Sequence, residues 1–172
     1  MELQNKKIAI LAENAYEDME LWYPLLRFRE AGAEVMVVGP QPGIFESKHG
    51  YPVRAEVAAD EVSASDFDAF IIPGGYAPDH MRGSEAMISL IRVANQQGKI
   101  IAAICHAGWV LASADALQGK KVTGYYTIKD DLKNAGGNYI DREVVRDGNI
   151  ITSRMPSDLP AFCRTIIAAL KE

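Results

Sequence analysis

The sequence predicts an α/β fold: a doubly wound, mostly parallel central sheet with helices on both faces. Short apolar runs of strand length alternate along the chain with longer segments whose apolar residues lie three or four positions apart. The first two runs are separated by one such helical segment, which is the spacing of a right-handed parallel crossover unit. No repeat, linker or low-complexity tract interrupts the pattern, so we expect one domain over residues 1–172.

The first half of the chain carries three predicted strands and two predicted helices. Each strand is a continuous apolar run, as expected for a parallel strand that is covered on both faces. Prolines and glycines break the pattern between residues 40 and 66, where only short extended pieces near 44–47 and 53–55 remain, and we expect a small hairpin there. The predicted strands are 7–12, 34–39 and 67–72, and the predicted helices are 17–32 and 85–97.

The second half begins with a strand that stops at a lone cysteine. Residues 100–104 are too few for a buried helix and suit a strand, and residues 106–114 have a helical spacing, so Cys105 stands at a strand-to-helix turn. Asp158 is the predicted N-cap of the closing helix. Between them the pattern predicts a strand over 121–123, a helix over 128–135, and a hairpin of strands 139–145 and 150–153 around Asp147-Gly148-Asn149.

The position of Cys105 has two interpretations. The partial positive charge of a helix N-terminus favours thiolate over thiol, which predicts a lowered pKa and a nucleophilic sulfur. Alternatively, Cys105 is a small buried hydrophobe at the end of a strand. The Cys105-His106 pair at such a junction favours the reactive interpretation. Cys163 lies on the apolar face of the closing helix and is predicted to be core.

Three loops are expected to meet at one edge of the sheet, because ligand sites in such sheets lie at the carboxyl ends of the central strands. One follows the first strand and carries Glu13 and Glu17, one is Gly74-Gly75, and the third is Cys105-His106. Two glycines after a parallel strand allow a tight turn and leave a backbone N–H open to a ligand.

Composition excludes several classes of function. With 23 acidic and 18 basic residues the net charge is −5, and the sequence has no Lys/Arg cluster of the kind that binds a phosphate backbone. No nucleic-acid partner is therefore expected. No apolar segment has signal or membrane-spanning character, which predicts a cytoplasmic protein without a membrane partner. Two distant cysteines do not form a disulfide framework there. The histidines His49, His80 and His106 lack zinc-ligand spacing, so neither a metal nor another cofactor is expected.

Several segments, in this order and spacing, resemble the PfpI-type intracellular proteases of the ThiJ/PfpI superfamily over nearly the whole chain. The resemblance implies a flavodoxin-like fold related to class I glutamine amidotransferases. The segments that carry it are 15–24, 48–51, 73–79, 103–106, 128–131, and Asp147-Gly148-Asn149 with the residues through Arg154.

The resemblance also implies roles for individual residues. Cys105 would be the nucleophile, and the backbone N–H groups of Gly75 and His106 would form an oxyanion site. Asp79 matches the carboxylate that orients the histidine from a neighbouring subunit in protease-like members. Because consecutive helical residues do not face one another, we expect His106 to reach the Cys105 sulfur poorly and to need such an outside partner.

A carboxyl group from the first loop accompanies the cysteine in this superfamily. Motif alignment makes Glu17 the first choice and Glu20 the second. A carboxyl beside a thiol in a partly dry pocket should have a raised pKa, so that it donates a hydrogen bond or moves a proton. Tyr125 matches a tyrosine near the site, and an ordinary half-buried aromatic is an equal interpretation of that residue.

A nucleophilic Cys105 is compatible with three alternative functions. The leading hypothesis is a stress-protective enzyme of glyoxalase III or deglycase type, in which Cys105 attacks small reactive carbonyl compounds or their protein adducts. The alternative is an intracellular cysteine peptidase or amidohydrolase that uses Cys105, His106 and Asp79 of a second subunit, which requires at least a homodimer. A third is a redox sensor or chaperone-like stress protein without turnover.

Overall fold

The computed structural model describes residues 1–172 and is built around a seven-stranded sheet. All neighbouring strands are parallel except the last two in the chain, which pair antiparallel. The predicted mostly parallel sheet is therefore confirmed. In spatial order the strands are β10 (Val145–Asp147), β11 (Ile150–Ser153), β7 (Ile100–Ile104), β6 (Ala69–Ile72), β1 (Lys7–Leu11), β2 (Glu34–Gly39) and β5 (Val57–Ala58).

Six α-helices cover the two faces of this sheet. The first and last helices of the chain contact each other, and the second, third and fourth form another group. The central strands β1, β6 and β7 are buried almost throughout, which explains why their sequences are continuous apolar runs. The helices are α1 (Asp18–Glu30), α2 (Ala77–Arg82), α3 (Glu85–Gln96), α4 (Gly108–Ser113), α5 (Lys129–Asn134) and α6 (Leu159–Leu170).

Two small sheets complete the fold. The expected hairpin is formed by β3 (Gly43–Glu46) and β4 (Pro52–Ala55), which pair antiparallel. The strands β8 (Lys121–Val122) and β9 (Asn138–Tyr139) pair parallel to each other. No helix combines the length and the apolar character that crossing a membrane requires.

The structure differs from the sequence predictions at five places. The sequence pattern missed α2 and β5, and the predicted strand 139–145 is wrong, because residues 141–143 are exposed and β10 begins only at Val145. The helix expected from His106 begins as a 3-10 turn over Cys105–Ala107. Asp158 is not a side-chain cap of α6: its carboxylate accepts hydrogen bonds from the backbone and guanidinium of Arg154.

Candidate active site

The three predicted loops meet at the carboxyl ends of β1, β6 and β7, where they border a cavity of about 410 Å³. The topology places them there because β1 and β7 both pair with β6 in parallel. Five of the predicted site residues line this cavity together with Gly75, and Asp79 does not. The lining residues are Glu17, Glu20, Lys48, Gly75, Tyr76, Cys105, His106, Tyr125, Met155 and Pro156.

Cys105 occupies a strained turn at the end of β7. Its φ is +62°, in the left-handed region that side chains other than glycine rarely adopt, and only 8% of its surface is exposed. The backbone N–H groups of Gly75 and His106 lie near enough to its sulfur to act to lower the pKa of the thiol. These are the two donors expected for an oxyanion site, and they converge on the atom at which the reaction would start.

Position 75 has no room for a side chain. Its φ is +78°, and a Cβ there would lie 2.5 Å from the backbone nitrogen of Glu17. The neighbouring Gly74 is equally confined, because a Cβ at that position would lie 2.7 Å from Cys105 Cβ. The glycine pair therefore lets the loop after β6 pass between the first loop and the cysteine.

The carboxyl that touches the cysteine is Glu20, the second choice of the sequence analysis. Glu20 is fully buried, its Oε2 accepts a hydrogen bond of 2.7 Å from the Gly74 N–H, and its carboxyl lies beside the Cys105 thiol, where its charge acts on the thiol pKa. Glu17 lines the same cavity, but its Oε2 caps α1 by accepting from the N–H groups of Met19 and Glu20.

Burial dominates the ionisation of this pair. It raises the pKa of the Glu20 carboxyl to about 8, with a further contribution from the charge of Glu17. Burial and the charge of Glu20 raise the pKa of the Cys105 thiol to about 12, against the smaller effect of the two N–H donors. The predicted raised pKa of the carboxyl is found at Glu20, whereas the lowered pKa expected of the thiol from a helix N-terminus is not.

His106 does reach the sulfur. Its Nδ1 lies 3.2 Å from Cys105 Sγ, because the two residues form a 3-10 turn around a left-handed cysteine and not a regular helix. The expectation of poor contact was therefore wrong. Burial lowers the pKa of His106, as does the charge of Lys48, so the imidazole is neutral at neutral pH and able to accept the thiol proton.

Aromatic rings hold the imidazole in place. Tyr125 stacks on His106 with ring centroids 5.0 Å apart, and Trp109 contacts it edge-on at 5.2 Å. Tyr125 thus lies in the cavity wall, as its motif predicted. Asp79 is exposed in the first turn of α2 and makes no side-chain hydrogen bond within the chain, so its role stays a prediction about a neighbouring subunit.

Sequence reasoning did not select Lys48, Tyr76, Met155 and Pro156, which also line the cavity. Lys48 belongs to a motif segment at 48–51, and that position was the available signal for it. Met155 and Pro156 lie in the turn between β11 and α6, and no pattern connects that turn to the cysteine.

The chain combines a mostly parallel α/β sheet with a buried cysteine at a strained strand-to-helix turn, beside a histidine and a carboxyl. This chain belongs to the DJ-1/PfpI family, whose sequence model matches residues 6–169. The flavodoxin-like fold expected from the motif segments is confirmed by the solved structures that the chain resembles.

Similar proteins include two named deglycases. Deglycase PfpI of Pyrococcus furiosus is 44% identical over 165 residues, which cover 96% of this chain and 99% of that protein. Protein/nucleic acid deglycase 2 of Escherichia coli is 40% identical over 169 residues, covering 96% and 98%. A crystal structure of a two-domain protein from Anabaena variabilis, with DJ-1/ThiJ/PfpI-like and ferritin-like domains, matches with a TM-score of 0.95 and 43% identity; the match covers 96% of this chain and 48% of that protein.

Proposed function

We propose that this protein is a cysteine-dependent enzyme that acts on small reactive carbonyl compounds or on their adducts with proteins. The observation that carries the proposal is the convergence of two backbone N–H donors, a neutral imidazole and a protonatable carboxyl on the Cys105 sulfur. The names of the two deglycases described above favour the same class of substrate.

In the proposed reaction with methylglyoxal, Cys105 Sγ bonds to the aldehyde carbon while His106 Nδ1 accepts the thiol proton. The carbonyl π electrons move to oxygen, where the N–H groups of Gly75 and His106 stabilise the charge. Glu20 protonates this oxygen and gives a hemithioacetal.

Glu20, now ionised, then takes the proton from the former aldehyde carbon and returns it to the neighbouring carbon. A hydroxyl proton moves between the two oxygens in the same direction, and a thioester results. Water cleaves the thioester to lactate and the Cys105 thiolate, with release of two protons. His106 returns its proton to the sulfur, one released proton restores the Glu20 carboxyl, and the other passes to solvent. Glu20 replaces Glu17 in this role because the Glu17 carboxylate is occupied by the N-terminus of α1.

The test is consumption of methylglyoxal and formation of lactate by the purified protein. We expect Cys105→Ala to abolish both, and Cys163→Ala to retain them, because Cys163 is buried in the core on α6. Consumption that survives Cys105→Ala removes the mechanism.

A second candidate is a peptidase, and the contact of 3.2 Å between Cys105 Sγ and His106 Nδ1 favours it. An acyl-enzyme mechanism needs an imidazole that is oriented from its other side, which Asp79 of a second subunit would supply. This candidate requires peptide cleavage that disappears in Asp79→Asn and in a monomeric form of the protein. Reversible oxidation of Cys105 without turnover of either substrate would instead favour the redox-sensor alternative.

A further inference from the structure

We infer that Lys48 is an anion-binding residue of the active-site cavity, which therefore prefers carbonyl compounds that carry a carboxylate group. The inference rests on the proposed function, because it assigns part of the same cavity to the substrate. It concerns selectivity for charge, which the reaction at Cys105 leaves open.

Lys48 is the only lysine or arginine that lines the cavity. Its ammonium takes part in no ion pair and no side-chain hydrogen bond within the chain, although the cavity also holds Glu17 and Glu20. Its charge is felt inside the site, since it acts to lower the pKa of both Glu20 and His106. The cavity thus contains one uncommitted positive charge, carried by an exposed lysine whose charge reaches Glu20 and His106.

The backbone on either side of Lys48 is fixed by Asp18, at the start of α1. Ser47 Oγ donates to Asp18 Oδ1 at 2.7 Å, and His49 Nδ1 lies 2.7 Å from Asp18 Oδ2. The same Ser47 hydroxyl accepts from the N–H groups of His49 and Tyr51, at 3.1 and 2.9 Å. One carboxylate and one hydroxyl therefore hold the whole turn that presents Lys48.

A buried tyrosine ties this turn to the oxyanion donor. The Lys48 N–H donates to the Tyr16 carbonyl at 2.9 Å, and the Tyr16 hydroxyl donates to the Tyr51 carbonyl at 2.6 Å. Tyr16 also forms a backbone bridge with Gly75. Since Tyr16 is fully buried, the base of the lysine side chain is held at a set position relative to the Gly75 N–H. Such anchoring is expected of a residue that must present its charge to a ligand.

The charge balance of the cavity selects the kind of anion. The Glu17 carboxylate already accepts from the N-terminus of α1, so the ammonium of Lys48 is left to neutralise one negative charge of a ligand. The second charge of a doubly charged phosphate would be uncompensated. We therefore assign a monoanionic carboxylate, carried on the same small molecule as the reacting carbonyl group.

Alkylation of Cys105 tests this assignment without any turnover. Iodoacetate and iodoacetamide are similar in size, and only iodoacetate is charged. In both reactions the sulfur bonds to carbon, iodide leaves with the carbon–iodine electron pair, and the thiol proton passes to solvent. Peptide mass spectrometry follows Cys105 separately from Cys163, the other free cysteine. The measured quantity is the ratio of the iodoacetate rate to the iodoacetamide rate.

We expect Lys48→Met to lower this ratio about fivefold, which is the size expected for one partly solvated charge pair. Lys48→Arg should recover most of the ratio, and added salt should reduce it in the wild-type protein. The matched control is Lys171→Met, which removes an exposed lysine outside the cavity and should leave the ratio unchanged. An unchanged ratio in Lys48→Met, or an equal fall in Lys171→Met, overturns the assignment.

A turnover measurement extends the test to substrates. The ratio of kcat/KM for 4,5-dioxopentanoate, a 2-oxoaldehyde that carries a carboxylate, to kcat/KM for methylglyoxal should also fall about fivefold in Lys48→Met. A constant ratio contradicts a substrate carboxylate at Lys48. The two proposals fail separately. Turnover that persists in Cys105→Ala removes the proposed function, whereas the alkylation ratio alone decides whether Lys48 binds anions.

Discussion

At the scale of single residues, the thiol of Cys105 and the carboxyl of Glu20 form one titrating unit. Both pKa values are raised by burial, to about 12 and about 8, so both groups hold their protons at neutral pH. Two groups in contact ionise in steps that belong to the pair. In the proposed reaction the Cys105 thiol is therefore not ionised in advance, and the thiolate would form when His106 accepts the proton during attack.

Glu20→Gln should separate the reactivity of the thiol from turnover. Removing the carboxylate removes a charge that raises the pKa of Cys105, so the rate of alkylation by iodoacetamide at pH 8 to 9 should rise. Lactate formation should fall about 100-fold, since proton transfer by Glu20 is lost. Alkylation quenched at timed intervals measures the reactivity of the thiol, and a lactate assay measures turnover.

The matched control for this substitution is Glu17→Gln, which retains an oxygen to cap α1 and leaves the Glu20 carboxyl in contact with Cys105. Its alkylation rate should fall slightly and not rise, because loss of the Glu17 charge lets Glu20 ionise more readily, and the charge of Glu20 raises the pKa of the thiol. Slower alkylation in Glu20→Gln than in the wild-type protein would contradict the coupling of the two groups.

At the scale of elements, the turn between β11 and α6 forms part of the cavity wall through Met155 and Pro156. Asp158 holds this turn: its carboxylate, 3% exposed, accepts from the Arg154 backbone N–H at 3.0 Å and from its guanidinium at 2.9 and 3.0 Å. The ion pair replaces the helix cap that the sequence predicted.

Asp158→Asn should destabilise the protein by about 2 kcal/mol, because the partly buried guanidinium of Arg154 loses its buried carboxylate partner and keeps only the exposed Asp141. Denaturant unfolding measures this loss. Glu172→Gln breaks a two-point contact with Arg146 that is exposed, and serves as the control that should have little effect. Equal losses in the two variants would contradict a structural role for the turn.

The elements that the sequence predicted correctly are those with long and unambiguous patterns. β1, β6 and β7 are continuous apolar runs because both faces of each strand are covered. α2 is six residues long and begins with a proline in its first turn, too short for a helical period to show. β5 has two residues and pairs only with the end of β2.

The choice between Glu17 and Glu20 lies beyond sequence patterns for a related reason. The two residues are three positions apart at the start of α1, so both can face the same loop. What separates them is that Glu17 has the extended backbone of an N-cap residue, whereas Glu20 lies inside the helix and against Gly74. The raised pKa of the Cys105 thiol could not be predicted from the sequence for the same reason, since the burial that causes it depends on packing from distant segments.

At the scale of the whole molecule, the buried Glu20 carboxyl beside Cys105 lowers the free energy of unfolding as the pH rises. A buried carboxyl whose pKa is raised from 4.5 to about 8 retains its proton in the folded protein over a range where the unfolded chain releases it. The folded state then binds more protons than the unfolded state, so its stability falls as the pH rises from about 4.5 to about 8. The rest of the core must offset this loss.

Glu20→Gln removes this dependence, because a neutral amide of the same shape has no charge to bury. We expect the variant to gain stability over the wild-type protein as the pH rises from 5 to 8.5, by about 3 to 5 kcal/mol at the upper end. Urea unfolding at each pH measures the difference, and Glu85→Gln, at a carboxylate with 83% of its side chain exposed, supplies a control whose difference should stay constant. A gain that is the same at pH 5 and pH 8.5 would mean that packing around residue 20, and not the ionisation of Glu20, sets the stability of the site.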